Sequence, residues 1–269
     1  MNNINKIIFI GAGNMAEALI KGIIEKNIFA KEAIHVVDVK IERIKYFENQ
    51  YGLVGCSDAV SLIDENSCVF LSVKPQQAVE VLERIQMLVK NNLVVSIMAG
   101  VKIETIKKYL KDANVVRVMP NTPCLVGLGA AGISFESNLD DDMKTLILKI
   151  MESVGFAVQV NENDLDAVTA LSGSGPAYVF YLAEAMIKAG VDMGLSAEIS
   201  KKLAIQTIYG ASSMMKNIAD SPENIRAKVT SKGGTTEAAV KSLEQNKFIE
   251  MLKSALQEAK KKSMELSDK

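Results

Sequence analysis

The chain has 269 residues, 48% hydrophobic and 23% charged, with a formal net charge of −1. That is chain enough for two ordinary domains of soluble composition, and the interspersed signs leave no basic face for a nucleic-acid partner. No apolar run approaches the roughly 20 residues of a membrane span. Residues Met1 to Lys6 lead directly into a strand rather than a signal peptide, so a cytoplasmic location is expected.

The only histidine, His35, falls within a predicted strand, and Cys56, Cys68 and Cys124 lack metal or redox spacing. Chemistry built on a His triad, a His general acid or a metal centre is therefore disfavoured. Cys68 reads as a small core residue.

In chain order, Lys6 to Ile10 is a short apolar run followed by Gly11-Ala12-Gly13-Asn14-Met15-Ala16 and a helical stripe of Met15, Leu19 and Ile23. A second strand, Ile34 to Val37, ends at Asp38, and residues 40–50 are helical. Cys68 to Val73 is a strand closed by Lys74-Pro75; residues 76–89 are helical, with Val79, Leu82 and Ile85 on one face. Leu93 to Met98 is a strand ending in Ala99-Gly100, and Ile103 to Leu110 a helix. Val115 to Met119 is a strand ending in Pro120-Asn121-Thr122-Pro123. Two more strands, near 130–135 and 156–160, flank a helix over 140–152. Alternation of this kind, with nearly continuous apolar strands, predicts a parallel sheet covered on both faces.

The second half is nearly all helix. Between Ala177 and Ala189 only Glu184 and Lys188 are charged. A helix apolar almost all round needs cover on every side. About one hundred residues cannot supply it, so a two-fold homodimer is expected. Ser196 caps the next helix, with Leu203, Ile208, Ala211 and Met215 inside; Ser221-Pro222 opens a short one. The last helix is expected to bury Phe248, Leu252, Ala255, Leu256 and Ala259 and to end near Lys260-Lys261-Lys262. The domains expected are 1–162, binding a dinucleotide, and 163–269, helical and serving substrate binding and dimerisation.

Gly11-x-Gly13-x-x-Ala16, placed between a strand and a helix, has the form of a dinucleotide loop. Gly11 permits the turn, Gly13 lets the pyrophosphate approach and Ala16 packs helix on strand. Asp38, 25 residues after Gly13, is placed to reach a ribose hydroxyl, which favours NAD; Lys40 and Arg43 are placed to hold the 2′-phosphate of NADP. The fold class is thus α/β, an N-terminal Rossmann-type, mostly parallel sheet followed by an all-α C-terminal dimerisation domain. Ligands bind beyond the carboxyl ends of such strands. This makes the turns at Val73-Lys74-Pro75, Ala99-Gly100 and Pro120-Asn121 candidates, though Lys74 also reads as an exposed residue closing a strand.

More than two hundred residues after the first motif comes Val229-Thr230-Ser231-Lys232-Gly233-Gly234-Thr235-Thr236-Glu237. Two glycines turn successive N–H groups toward one point, and a helix starting near Thr236 adds its positive end, making a hydroxyl-rimmed anion cradle. Ser231, Thr235 and Thr236 serve equally well as helix caps in a protein without such a ligand.

Taken together these segments resemble the pyrroline-5-carboxylate reductases over nearly the whole chain. The resemblance is carried by Ile10 to Ala16, Val73-Lys74-Pro75, Ala99-Gly100-Val101, Met119 to Pro123, Leu171-Ser172-Gly173-Ser174-Gly175-Pro176-Ala177-Tyr178 and Ser231 to Thr236. Lys232 departs from it, standing where the family often has Pro. The resemblance implies NADPH- or NADH-dependent reduction of a cyclic imine, 1-pyrroline-5-carboxylate, to L-proline, the last step of proline biosynthesis, and it favours NADPH as the donor. It assigns the cofactor loop to Gly11, Gly13, Asn14 and Met15. Val73, Lys74, Pro75, Ala99, Gly100, Pro120 and Asn121 fall to the nicotinamide side. The substrate carboxylate falls to Ser231, Gly233, Gly234, Thr235 and Thr236, with the Thr236 hydroxyl as a positioning donor to the ring nitrogen. It further implies an interleaved dimer, often built into a larger ring, whose site joins one subunit's nucleotide domain to its partner's helical domain. Two other readings are a β-hydroxyacid dehydrogenase, which wants a Lys or His proton donor on the helical domain, and a non-catalytic nucleotide sensor, which has no use for a carboxylate cradle.

Overall fold

The computed structural model describes residues 4–267. Two compact units divide the chain: one runs to Ser174 and resumes at Ala259, the other is Gly175–Glu258. The expected boundary at 162 and this division differ by the segment holding Leu165–Val168 and a π-helical turn, Thr169–Gly173, which packs on the sheet. A Cβ at Gly132 would meet Val168 Cγ1 at 2.9 Å, and one at Gly173 would meet Met119 Cε at 2.5 Å.

The first unit alternates as the sequence predicts, with one strand, β3, that it does not: β1 Lys6–Ile10, α1 Asn14–Glu25, β2 Ile34–Val37, α2 Ile41–Tyr51, β3 Val54–Cys56, β4 Ser67–Leu71 and α3 Ala78–Ile85. It continues through β5 Leu93–Ser96, α4 Ile103–Tyr109, β6 Asn114–Met119, β7 Gly129–Phe135, α5 Asp141–Glu152, β8 Gly155–Gln159 and α6 Leu165–Val168. The eight strands form one sheet in the order β3-β2-β1-β4-β5-β6-β7-β8. Pairing is parallel except where β7 meets β6 antiparallel. The reversal on either side of β1 is the topological switch point where open sheets of this kind bind ligands.

Strand side chains alternate between two cores. Ile7 and Phe9 of β1 pack with Leu19, Ile23, Phe47 and Ile147 on one face, and Ile8 and Ile10 with Leu82, Ile85 and Ile106 on the other. Phe9 and Phe70 stack at 4.7 Å between ring centroids. Cys68 is fully buried, as expected. Val79 is not part of the α3 core face; it is 47% exposed, and Ala78 takes its place beside Leu82 and Ile85. Among buried charged groups, Arg117 of β6 is matched by Glu162, Nη1 to Oε1 at 2.8 Å.

The second unit is helical: α7 Gly175–Asp192, α8 Ala197–Asn217, α9 Pro222–Lys228, α10 Thr235–Gln245 and most of α11 Phe248–Ser267. Ser196 and Ser221 cap α8 and α9 through the Ile199 and Asn224 amides. α7 and α8 approach closely where a Cβ at Gly190 would sit 2.7 Å from Ser200 Oγ. Three expectations are corrected here. Leu203, Ala211 and Met215 of α8, and Phe248, Leu252 and Ala255 of α11, are exposed rather than buried, with Ile208, Leu256 and Ala259 half-buried. α7, for which the cover of a second subunit is expected, is open in the single chain, Phe180 at 62% and Tyr181 at 73%. One copy of a small helical unit lacks a second apolar layer, so periodic apolar faces stand uncovered in the single chain. Lys260–Lys262 lies inside α11 rather than at its end, and Lys262 Nζ meets Glu265 Oε2 at 3.0 Å. The final turns of α11 belong to the first unit, where Ser263 Oγ donates to Asp166 Oδ1 at 2.6 Å.

Candidate active site

The turn from β1 into α1 is shaped by Gly11. Its φ is +101°, and a Cβ there would lie 2.6 Å from the Ser72 carbonyl oxygen. Gly13 differs: its φ of −82° suits any residue, but a Cβ on it would meet nothing within 4 Å. The space above Gly13 is open where a pyrophosphate needs backbone contact. Gly13 is also the N-cap of α1 and makes no side-chain cap. The first intrahelical bond runs from the Glu17 amide to the Gly13 carbonyl, so the preceding amides of α1 stay available to an anion.

A cavity of about 310 Å³ opens at this turn. Of the residues expected to hold the cofactor, Gly11, Gly13, Asp38, Lys40, Val73 and Lys74 line it. Asn14 and Met15 open α1 beside it, and Pro75 starts the 3₁₀ turn that follows Lys74. Ala99, Gly100, Pro120 and Asn121 follow β5 and β6 and are not among its lining. Gly100 has φ +74° and packs on Leu266, and Asn121 spans two loops, its Nδ2 donating to the Ser172 carbonyl and its Oδ1 accepting the Ala130 amide. Sequence reading did not anticipate the far wall, formed by Ser57, Asp58 and Ala59 after β3 and by Gln77, Glu80 and Arg84 around α3. Arg84 Nη2 and Asp58 Oδ2 are 3.7 Å apart across it.

Asp38 already has two donors. The Ala12 amide donates to its Oδ2 at 2.8 Å and the Lys40 amide to its Oδ1 at 2.9 Å. Arg43 Nε in turn donates to the Ala12 carbonyl at 2.7 Å, so Ala12, between the two glycines, is held at its amide by Asp38 after β2 and at its carbonyl by Arg43 of α2. Each carboxylate oxygen has further acceptor capacity for a ribose hydroxyl.

The second candidate region stands in the helical unit, between α9 and α10. Gly233 has φ +76°, and the Gly234 amide donates to the Ser231 carbonyl at 3.0 Å. Glu237 Oε2 accepts the Gly233 amide at 2.7 Å. The first helical bond of α10 joins the Ala238 amide to the Gly234 carbonyl, so the amides of Thr235, Thr236 and Glu237 make no helix bond. No side chain caps the Gly234 N-cap, which leaves the Ser231, Thr235 and Thr236 hydroxyls outside a capping role there. Of the five residues expected to read a carboxylate, the Gly233 and Gly234 amides are thus engaged within the loop, and the donors left are at Thr235, Thr236 and Ser231.

A glycine turn of this shape at the switch point of such a sheet has the form of a dinucleotide site, and the relatives below place the chain among the dinucleotide-dependent oxidoreductases. Its closer relationships are specific. Residues 162–266 match the family described as pyrroline-5-carboxylate reductase dimerisation, and residues 6–100 that described as NADP oxidoreductase, coenzyme F420-dependent. The chain is 37% identical over 265 residues to pyrroline-5-carboxylate reductase 2 of Bacillus subtilis (strain 168), covering 98% of this chain and 95% of that one. A pyrroline-5-carboxylate reductase structure from Coxiella burnetii matches with a TM-score of 0.92 at 36% identity, covering 98% of this chain and 99% of the other. The Plasmodium falciparum pyrroline carboxylate reductase with NADP bound matches at 0.87 and 34%, covering 99% of each. The chain belongs to the pyrroline-5-carboxylate reductase family. Its helical unit falls within the family's dimerisation segment, in accord with the expected homodimer.

Proposed function

We propose that this chain reduces 1-pyrroline-5-carboxylate to L-proline, with NADPH or NADH as donor, as a cytoplasmic homodimer. The observation that carries the substrate assignment is the N-terminus of α10, where unbonded amides of Thr235 and Thr236 stand with three hydroxyls in a loop fixed by Gly233. A single carboxylate fits this donor set. Three free cysteines suit a reducing compartment.

The chain's own residues have little proton chemistry to perform. The imine carbon is electrophilic, more so once the ring nitrogen is protonated, and orientation supplies most of the acceleration. The Ser231 hydroxyl and the Thr235 and Thr236 amides hold the carboxylate. The Thr236 hydroxyl donates to the ring nitrogen and fixes which carbon is presented. In the other unit, Gly11, Gly13 and the α1 amides hold the dinucleotide pyrophosphate, Asp38 and Lys40 the adenosine ribose, and Val73 and Lys74 the adjoining wall. When bound, the nicotinamide supplies the hydride that the imine carbon accepts.

Loss of nicotinamide absorbance on adding 1-pyrroline-5-carboxylate to purified protein, with NADPH and NADH in parallel and proline measured as product, tests the reading. Proline formed with either donor supports it; dinucleotide binding without turnover overturns it.

A further inference from the structure

Glu17 lies on α1, one turn beyond the glycine loop, and is not among the residues lining the cofactor cavity. It nevertheless gathers three donors from α2: Arg43 Nη2 at 3.1 Å, Tyr46 Oη at 2.6 Å and Tyr51 Oη at 3.2 Å. Arg43 does line the cavity. Its guanidinium sits over the rings of Tyr46 at 4.8 Å and Phe47 at 5.3 Å, and its Nε donates to the Ala12 carbonyl. A carboxylate, a backbone carbonyl and an aromatic face therefore hold one cation at the carboxyl end of β2.

That position is where folds of this type distinguish the two dinucleotides. An acidic residue there takes the ribose hydroxyls, whereas a nearby Arg takes a 2′-phosphate. This chain has both, Asp38 and Arg43. The balance depends on how far the charge of Arg43 is already matched. The side chains of Arg43 and Glu17 are only 27% and 18% exposed, so solvent screens their attraction less than that of a surface pair. A phosphate approaching Arg43 competes with Glu17 for the same guanidinium, and Glu17 also repels it.

We propose that Glu17 is a positioning residue for cofactor choice: by holding Arg43 against the Ala12 carbonyl, it limits the response to a 2′-phosphate and favours NADH. This rests on the dinucleotide reading of the cavity and deepens it. A merely structural ion pair between α1 and α2 changes the binding of both dinucleotides alike, whereas the proposed role changes their ratio.

The test uses the full chain with Glu17→Ala and Glu17→Gln, measuring kcat/KM with NADPH and NADH, the Kd of each, KM for the imine and the thermal midpoint. Glu17→Ala is expected to raise the NADPH-to-NADH ratio of kcat/KM about fivefold, as removal of one partly buried counter-charge implies, with KM for the imine unchanged. Glu17→Gln keeps an acceptor for the tyrosines and Arg43 but no charge. It is expected to shift the ratio in the same direction with a midpoint near wild type, and it decides the matter if the alanine variant does not fold. A ratio unmoved in the folded variants, or equal weakening of both dinucleotides, overturns the role of Glu17. Wild-type protein that binds neither dinucleotide overturns the cavity reading itself, a separate failure.

Discussion

Glu237 turns back on its own loop: its Oε2 accepts the Gly233 amide hydrogen at 2.7 Å, four residues before the helix position it occupies. The contact resembles a capping box displaced by one residue, and it holds Gly233 at its positive φ of +76°. The same carboxylate places a negative charge beside donors proposed to receive the substrate's. Glu237→Gln keeps the acceptor and removes the charge. It should lower KM for the imine about twofold at low ionic strength and much less in high salt, because the charge is exposed and screened. Steady-state kinetics at two salt concentrations checks this; an unchanged KM at low salt contradicts repulsion at the cradle.

Thr236 tests the cradle from the other side. Its hydroxyl has no capping bond to lose, so Thr236→Ala should leave the fold and dinucleotide Kd as they are. If the hydroxyl orients the ring nitrogen, kcat/KM for the imine falls about tenfold to a hundredfold, the range for a hydrogen bond to a charged group. Thr236→Ser restores most of it. Equal activity of the alanine variant removes Thr236 from substrate positioning.

The two glycines of the proposed cofactor loop should fail in different ways. Gly11→Ala drives a Cβ to within 2.6 Å of the Ser72 oxygen at φ +101°, and should destabilise the protein by about 2 kcal/mol or more with or without ligand. Gly13→Ala meets no protein atom and no forbidden φ, so apo stability should hold within about 0.5 kcal/mol while dinucleotide affinity drops. Thermal unfolding without cofactor, paired with a cofactor titration, separates the two. Comparable losses of stability in both variants contradict an open ligand space above Gly13.

The sheet was legible because its strands are apolar and its helices periodic; from Lys6 to Gln159 each predicted strand and helix has an observed counterpart within a few residues, and one observed strand has no prediction. β3 was missed because three residues, Val54–Cys56, with a central glycine and pairing only to β2, carry no period to detect. The near wall of the cavity could be read from Gly11, Gly13, Asp38 and Lys74. The part of the far wall at Ser57–Ala59 could not, since it follows that unseen strand, and Arg84 lies on a helix whose period does not mark it as facing a cavity. No local pattern reveals that Asp38 receives an amide from Ala12, 26 positions earlier. Burial in α8 and α11 was overestimated because periodicity reports an apolar face without saying what covers it.

The Glu17 cluster gives stability a pH signature at both ends. Burial opposes the Glu17 carboxylate, but hydrogen bonds from Tyr46, Arg43 and Tyr51 outweigh it and hold the group below its ordinary 4.5. Burial, then the neighbouring Glu17 charge and hydrogen bond, push Tyr51 from 10.0 up to about 12. Glu17 binds its proton less tightly when folded, so its contribution is whole above 4.5 and is lost as pH falls below that. Tyr51 binds its proton more tightly when folded, so its contribution is whole below 10.0 and is lost as pH rises through about 12. Tyr51→Phe should flatten the alkaline limb of unfolding free energy against pH and leave the acid limb sloped. An alkaline limb that keeps its wild-type slope contradicts the assignment.

The open face of α7 is the test of assembly. Phe180 and Tyr181, 62% and 73% exposed, stand on a helix whose only described buried residue is Gly190. Large aromatic side chains left in water on a family dimerisation segment point to a second copy as their cover. Phe180→Asp sets a charge among those groups and should convert the dimer to monomer by light scattering, because an unpaired buried carboxylate is costly at an apolar interface. The cavity proposed for the dinucleotide lies wholly within the first unit, so the variant should still bind cofactor with near wild-type Kd. A variant that stays dimeric places the interface on another face, whereas loss of cofactor binding together with the dimer indicates that the first unit does not hold its ligand alone.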